Sequence, residues 1–294
     1  GICFSPFPDN THKMNKSISP IISASDLQTL SASSAFVLID ARFGKENYHK
    51  SHLQGALYVD LNSQLSDIKA DFADGGRHPL PDAARFSFLL ESLGISPESH
   101  VVVYDDKNGA NAAARFWWMM KAVGHEKIQV LDGGMDAAIQ AGFPINTELE
   151  KTPIKGIYKV DQWKLRISDI SEIDKVSKDK NYLIIDVREN ERYRGEKEPI
   201  DLVAGHIPGA VNIPFASNLD PKGLFLSPSE LKTKYEKALE GKSAEKVIVH
   251  CGSGVTACHT LLAMAHAGMD IPKLYVGSWS EWSRNGREIA TELG

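Results

Sequence analysis

One cysteine in this chain has the surroundings of a nucleophile. Val247-Ile248-Val249-His250 runs apolar and mostly β-branched into Cys251, and Gly252-Ser253-Gly254-Val255-Thr256 follows before a helix-compatible segment opens at Ala257. Strand, tight loop, helix: that order turns successive backbone N–H groups and a helix N-terminus toward one point just past the strand. A thiol at that point lies among positive dipole ends, a setting that suits the nucleophilic thiolate. Glycines let the loop turn its amides inward without side chains in the way. Core packing is the plainer account of a cysteine after an apolar strand, since free thiols are often buried. A packed thiol needs no amide-rich loop, however, and the run after Cys251 favours catalysis.

The elements that must position this loop occur twice. Phe36-Val37-Leu38-Ile39-Asp40-Ala41-Arg42 returns as Tyr182-Leu183-Ile184-Ile185-Asp186-Val187-Arg188, and Val101-Val102-Val103-Tyr104-Asp105 returns as Val247-Ile248-Val249-His250-Cys251. His52-Leu53-Gln54-Gly55-Ala56 likewise matches His206-Ile207-Pro208-Gly209-Ala210. Spacings of about 146 residues are those of domains, not of a solenoid. Each half alternates short β-branched runs with helix-period segments, the pattern of an α/β domain with a mainly parallel sheet flanked by helices. Ala112–Val123 and Ala257–Ala267 read as crossover helices ending at Gly124 and Gly268. We expect a leader at 1–13 left from expression, a first domain over 14–150, a linker over 151–165 and a second domain over 166–294. In open parallel sheets ligands bind beyond the carboxyl ends of the strands, where Arg188 and Cys251 both fall.

His250-Cys251-Gly252-Ser253-Gly254-Val255-Thr256-Ala257, together with the repeat, resembles the two-domain rhodanese-like sulfurtransferases, and within them the 3-mercaptopyruvate sulfurtransferase branch. The resemblance covers nearly the whole chain. It implies two tandem rhodanese-like domains and transfer of sulfur from 3-mercaptopyruvate to a thiol, thioredoxin or cyanide through a persulfide on Cys251, with pyruvate released. Thiosulfate is the competing donor, but the branch that uses it carries basic residues in the loop, where this chain has Gly252 and Ser253. A cysteine phosphatase on the same fold would need a longer loop and an arginine where Ala257 stands.

The resemblance also implies roles. Arg192 would hold the donor anion, and a guanidinium suits that work because it grips a carboxylate with two parallel hydrogen bonds. Gly252, Ser253, Gly254, Val255 and Thr256 would cradle the sulfur, with the Ser253 hydroxyl acting in catalysis. Asp60 and His78 match first-domain positions that act at the cleft. The first domain would be inactive, because Asp105 stands where the second half has Cys251. No metal or organic cofactor is called for. One departure stands out: Glu196-Lys197-Glu198-Pro199-Ile200-Asp201-Leu202 lacks an arginine that relatives often carry there, leaving Lys197 as a substitute.

Features common to both halves read as structural: Arg42 and Arg188 as braces of strand ends, His52 and His206 likewise. Cys258 reads as a core thiol, and Trp279 and Trp282 as packed rather than lining a cleft. A net charge of −5 and a pI near 6.1 give no basic surface for nucleic acid or anionic lipid. No apolar run reaches the roughly 18 residues of a membrane span. Three cysteines, Cys3, Cys251 and Cys258, are too few for a disulfide framework and fit a reducing compartment, the cytoplasm.

Overall fold

The computed structural model describes residues 18–292; Cys3 and the expected leader lie outside them. Twelve strands fall in chain order: β1 (Ile21–Ile22), β2 (Phe36–Asp40), β3 (His52–Leu53), β4 (Leu57–Tyr58), β5 (His100–Tyr104), β6 (Ile128–Leu131), β7 (Ile145–Asn146), β8 (Ile167–Ser168), β9 (Leu183–Asp186), β10 (Val211–Asn212), β11 (Val247–His250) and β12 (Lys273–Tyr275). Two five-stranded parallel sheets result, ordered β4-β2-β5-β6-β1 and β10-β9-β11-β12-β8. The orders are the same when each strand is matched to its repeat. β5 and β11, the strands that deliver Asp105 and Cys251, are central in their sheets. Central parallel strands are covered on both faces and so need unbroken apolar runs. Val101, Val102 and Val103, like Val247, Ile248 and Val249, are fully buried.

β3 and β7 form a small antiparallel pair that returns the chain after the first sheet onto its own domain. Residues 151–165 contain no helix or strand, yet they are fastened down. Gly156 N–H donates to the Glu91 carbonyl (2.9 Å), Tyr158 and His125 share a 2.7 Å hydrogen bond, and Trp163 Nε1 donates to the Pro81 carbonyl (3.0 Å). The segment is a strap along the first domain.

Helices Ala112–Ala122 and Ala257–His266 leave the carboxyl ends of the two central strands and pack on each other across the domain interface. Both are apolar nearly all round, which is the pattern of a helix with no solvent face. Phe116, Trp117 and Met120 on one side and Leu261, Leu262 and Met264 on the other belong to one continuous buried cluster. Truncating a buried tryptophan such as Trp117 to alanine would cost about 3–5 kcal/mol. The two domains therefore form one rigid frame around what lies between them. No described helix is long and apolar enough to cross a membrane.

Candidate active site

Cys251 is the first residue beyond β11 and is 1% exposed. Its Sγ accepts a hydrogen bond from Gly254 N–H at 3.1 Å. The loop is tied to the turn after β12: Trp279 N–H donates to the Cys251 carbonyl (3.0 Å), Ser280 N–H to the Gly252 carbonyl (2.9 Å), and Cys251 N–H to Ser278 Oγ (3.2 Å). Gly254 has φ +82°, and a Cβ there would meet the Val276 carbonyl oxygen at 2.5 Å. Only glycine fits that position. The amides of Gly252, Ser253, Val255 and Thr256 find no acceptor among the described residues. Buried amides are normally paired, so these open donors can take an acceptor that the loop itself does not supply.

The corresponding loop of the first domain shows the same geometry already filled. Asp105 is fully buried and its carboxylate accepts from the amides of Lys107 (2.9 Å), Gly109 (2.9 Å) and Ala113 (3.2 Å). Burial pushes its carboxyl up to about 6 while those three amides pull it down. A side chain of the loop itself satisfies the cradle, and no thiol is present to carry sulfur.

Above Cys251 lies a cleft of about 490 Å³, lined from the first domain by Leu61, Arg77, His78 and Lys107 and from the second by Arg188, Arg192, Phe215 and the loop. A larger hollow of about 840 Å³ opens on the first domain near Gln28, Gln54 and Lys151, but neither cysteine nor histidine lines it. Chemistry rather than size marks the smaller cleft.

His78 reaches across the domain interface. Its Nδ1 is 2.8 Å from Ser253 Oγ and its Nε2 is 3.0 Å from Asn62 Oδ1. Burial, helped by the Arg115 and Arg77 charges, pushes the imidazole down to about 3, so the ring is neutral. With Nε2 assigned as the protonated nitrogen, which its Asn62 acceptor favours, Nδ1 accepts the Ser253 hydroxyl proton. Asp60 is not brought to this group. It caps the helix Leu61–Gln64, accepting from Ser63 N–H (2.8 Å), Ser63 Oγ (2.7 Å) and Tyr58 Oη (3.2 Å). A carboxylate at a helix N-cap is held by that helix. Asn62, two residues later, is the one that turns toward His78.

Arg192 lies beside the loop as expected, but it is not free. Its Nε and Nη2 donate to Glu198 at 2.9 and 3.1 Å, and Nη2 is 3.5 Å from Asp201. Lys197, the expected substitute for the missing arginine, is exposed and does not line the cleft. Its neighbours Glu198 and Asp201 turn inward instead, because buried guanidinium groups need carboxylate partners more than an exposed ammonium does. The uncharged loop is therefore not an uncharged site.

Sequence reasoning passed over Arg115. It is 0% exposed and donates to the carbonyls of Gly254 (3.2 Å), Leu65 (3.2 Å) and His78 (2.8 Å), linking both sides of the cleft. A lone arginine in Ala112-Ala113-Ala114-Arg115-Phe116-Trp117-Trp118 was the available signal.

The match to known proteins follows the same two-part plan. The profile of the rhodanese-like domain matches residues 23–141 and again 169–285. The chain belongs to the rhodanese-like domain family. A Pseudomonas aeruginosa protein named "Probable 3-mercaptopyruvate sulfurtransferase" is 39% identical over 260 residues, covering 87% of this chain and 90% of that one. The thiosulfate sulfurtransferase of Rattus norvegicus is 33% identical over 247 residues, covering 83% and 81%. Among solved structures, the 3-mercaptopyruvate sulfurtransferase from Leishmania major superposes with a TM-score of 0.77 at 28% identity, over 90% of this chain and 74% of that one. Persulfide-based sulfur transfer fits the family, and its members here bear the names of both donors.

The shared features of the two rhodanese-like halves do act as structure. Arg42 grips Asp40 and Arg188 grips Asp186 at the ends of β2 and β9, and each also donates to a loop carbonyl, that of Ser51 or Gly205. His52 stacks on Tyr48 and His206 on Tyr193. Cys258 is fully buried, its thiol pushed up to about 12 by burial. Trp279 and Trp282 are packed in the core of the second domain.

Proposed function

We propose that the chain transfers sulfur from 3-mercaptopyruvate to a thiol acceptor through a persulfide on Cys251. The observation that carries this is the loop: Gly254 N–H donates to the Cys251 sulfur, and four more amides of the same loop find no acceptor among the described residues. The Cys251 thiolate attacks the thiol sulfur of the donor. An S–S bond forms and the C–S bond breaks. The bonding pair leaves as the pyruvate enolate, which takes up a proton to give pyruvate. The open amides stabilise charge on the outer sulfur, as an oxyanion hole does. Because the Ser253 proton is committed to His78, the Ser253 oxygen faces the donor as an acceptor and orients its thiol. His78 is a positioning residue held by Asn62, and Asp60 supports the short helix that carries Asn62. Arg192 offers its remaining nitrogen to the donor carboxylate, and Thr256 adds a hydroxyl at the rim. A second nucleophile then removes the outer sulfur. A thioredoxin-type thiol in the cytoplasm suits this step, since the acceptor must arrive reduced.

Charge favours mercaptopyruvate over thiosulfate. The three guanidinium groups that line the cleft, those of Arg77, Arg188 and Arg192, are each already paired with a carboxylate of Asp186, Glu198 or Asp201. Guanidinium charge partly neutralised in this way suits a monocarboxylate better than a dianion. The test is kcat/KM for both donors in the wild type and in Cys251→Ser. We expect a clear preference for mercaptopyruvate and loss of turnover in the folded variant. Equal or better use of thiosulfate would overturn the donor assignment, and substantial turnover by Cys251→Ser would overturn the nucleophile.

A further inference from the structure

Each guanidinium that lines the cleft has a carboxylate partner: Arg77 Nε donates to Asp201 (3.0 Å), Arg188 to Asp186 and Arg192 to Glu198. Arg115, on the first-domain helix Ala112–Ala122, has none among the described residues and does not line the cleft. It is wholly buried, bonds only to the three carbonyls already named, and leaves its Nε without a partner among those residues. A guanidinium stays protonated in proteins, and burying a cation without a counter-charge is costly. Burial pushes Arg115 down, and negative charge on Cys258 or Cys251 pulls it back up. Cys258 is itself pushed up to about 12 by burial and stays neutral. His78, the other titratable side chain that feels Arg115, is neutral as well. The negative charge left to face this cation is a thiolate on Cys251.

The Gly254 carbonyl carries the link. It accepts from Arg115 Nη1 at 3.2 Å and from the Cys258 thiol at 3.4 Å, while Gly254 N–H donates to Cys251 Sγ. A peptide unit is planar and trans, so clamping the Gly254 carbonyl turns the Val255 N–H to the opposite side. Hydrogen bonds received by that carbonyl also polarise the N–H of the same unit. Val255 N–H is one of the open amides of the loop.

We infer that Arg115 is a positioning residue that supplies the counter-charge of the Cys251 thiolate from behind the loop, acting through the Gly254 carbonyl. The inference rests on the reading of Cys251 as the nucleophile and deepens it. The cation comes from the domain that has no cysteine in its own loop. Its bond to the His78 carbonyl means that one side chain orders both the sulfur's loop and the histidine that holds Ser253. Both half-reactions gain. In the first, the thiolate that attacks the donor is held in its charged form. In the second, the acceptor thiolate attacks the outer sulfur, the S–S bond breaks, and its electron pair leaves on Cys251. A stabilised thiolate is the better leaving group.

The competing account is that Arg115 only braces the domain interface. The experiment measures the rate at which iodoacetamide alkylates Cys251 at pH 7, followed by peptide mass spectrometry, with thermal unfolding of each protein. Iodoacetamide is neutral, so the arginines of the cleft do not attract it as they would an anion. The proteins are the wild type, Arg115→Met, Arg115→Gln and Arg115→Lys. Loss of the counter-charge predicts alkylation at least about tenfold slower in Arg115→Met and Arg115→Gln, whatever their stability. Arg115→Lys keeps a charge but not the fork, and should recover at least about threefold over the neutral variants. Alkylation of a folded neutral variant within about threefold of wild type would show a brace and overturn the inference. So would an Arg115→Lys protein as slow as the neutral ones. If Arg115→Met does not fold, Arg115→Gln, which keeps donors for the carbonyls, is read by the same criterion. Equal alkylation of Cys251 and Cys258 in the wild type would instead overturn the nucleophile, and the functional reading with it.

Discussion

Two glycines in the Cys251 loop, two residues apart, should respond to the same methyl group in opposite ways. At Gly252 the backbone is not left-handed, and the added Cβ of Gly252→Ala meets only the ends of two arginine side chains, at 2.9 and 3.2 Å. Arg77 is anchored through Nε alone and must yield by about 0.5 Å to restore ordinary contact. Such a shift is cheap for the fold, and stability should change by less than about 0.5 kcal/mol. It is not cheap for the donor. Hydrogen bonds to charged groups contribute about 1.5–3 kcal/mol, and losing half to all of one such bond raises the donor KM roughly tenfold. Gly254→Ala faces a different obstacle. Its φ of +82° disfavours any side chain, and its Cβ would lie 2.5 Å from the Val276 carbonyl oxygen, a backbone atom that cannot swing aside. We expect a loss of about 3 kcal/mol and a collapse of kcat, because the amide under Cys251 Sγ moves with the loop. Thermal unfolding and steady-state kinetics with mercaptopyruvate read both. If Gly252→Ala kept the wild-type KM, the arginines would not touch the donor. If it destabilised as much as Gly254→Ala, the loop's sensitivity would be a backbone property and the reasoning would fail.

Cys258→Ala should keep activity within about threefold and lose about 1–2 kcal/mol of stability, since it removes a buried, neutral thiol. Peptide mass spectrometry after incubation with donor should find the added sulfur on Cys251; finding it on Cys258 would refute the assignment. Stability should fall as pH drops from about 6.5 toward 4. His78 and His259 are pushed by burial down to about 3 and about 4 in the folded protein, so the unfolded chain binds protons that the folded one refuses. Asp105, pushed up to about 6, works the other way, because below that pH the folded form holds the extra proton. Two histidines against one carboxyl predict net uptake of at least about one proton on unfolding at pH 5. Calorimetry in buffers of different ionisation heat measures this, and net release would contradict the buried, neutral histidines.

The repeat and the cysteine loop were legible in the sequence. Strand ends such as Asp40-Ala41-Arg42 and Asp186-Val187-Arg188 recur because each rhodanese-like domain must close the same buried ion pair. The Cys251 loop is readable because an inward-turned amide loop needs glycine at particular backbone positions, and that need is local. The two parallel sheets and the crossover helices followed from such local signals. What the sequence could not decide is which side chains meet at the cleft. Asn62 rather than Asp60 behind His78, Arg115 between His78 and Gly254, and Arg77 beside Arg192 are contacts between residues up to about 140 positions apart. No periodicity or spacing carries that information, because it depends on how two apolar helices, Ala112–Ala122 and Ala257–His266, dock the domains. Charge misled in the same way: residues 196–202 look like a weakened anion site along the chain, and in space their carboxylates are the anchors that hold two arginines in place. A side chain's partner is set by three-dimensional proximity, and only its own conformation by its neighbours in sequence.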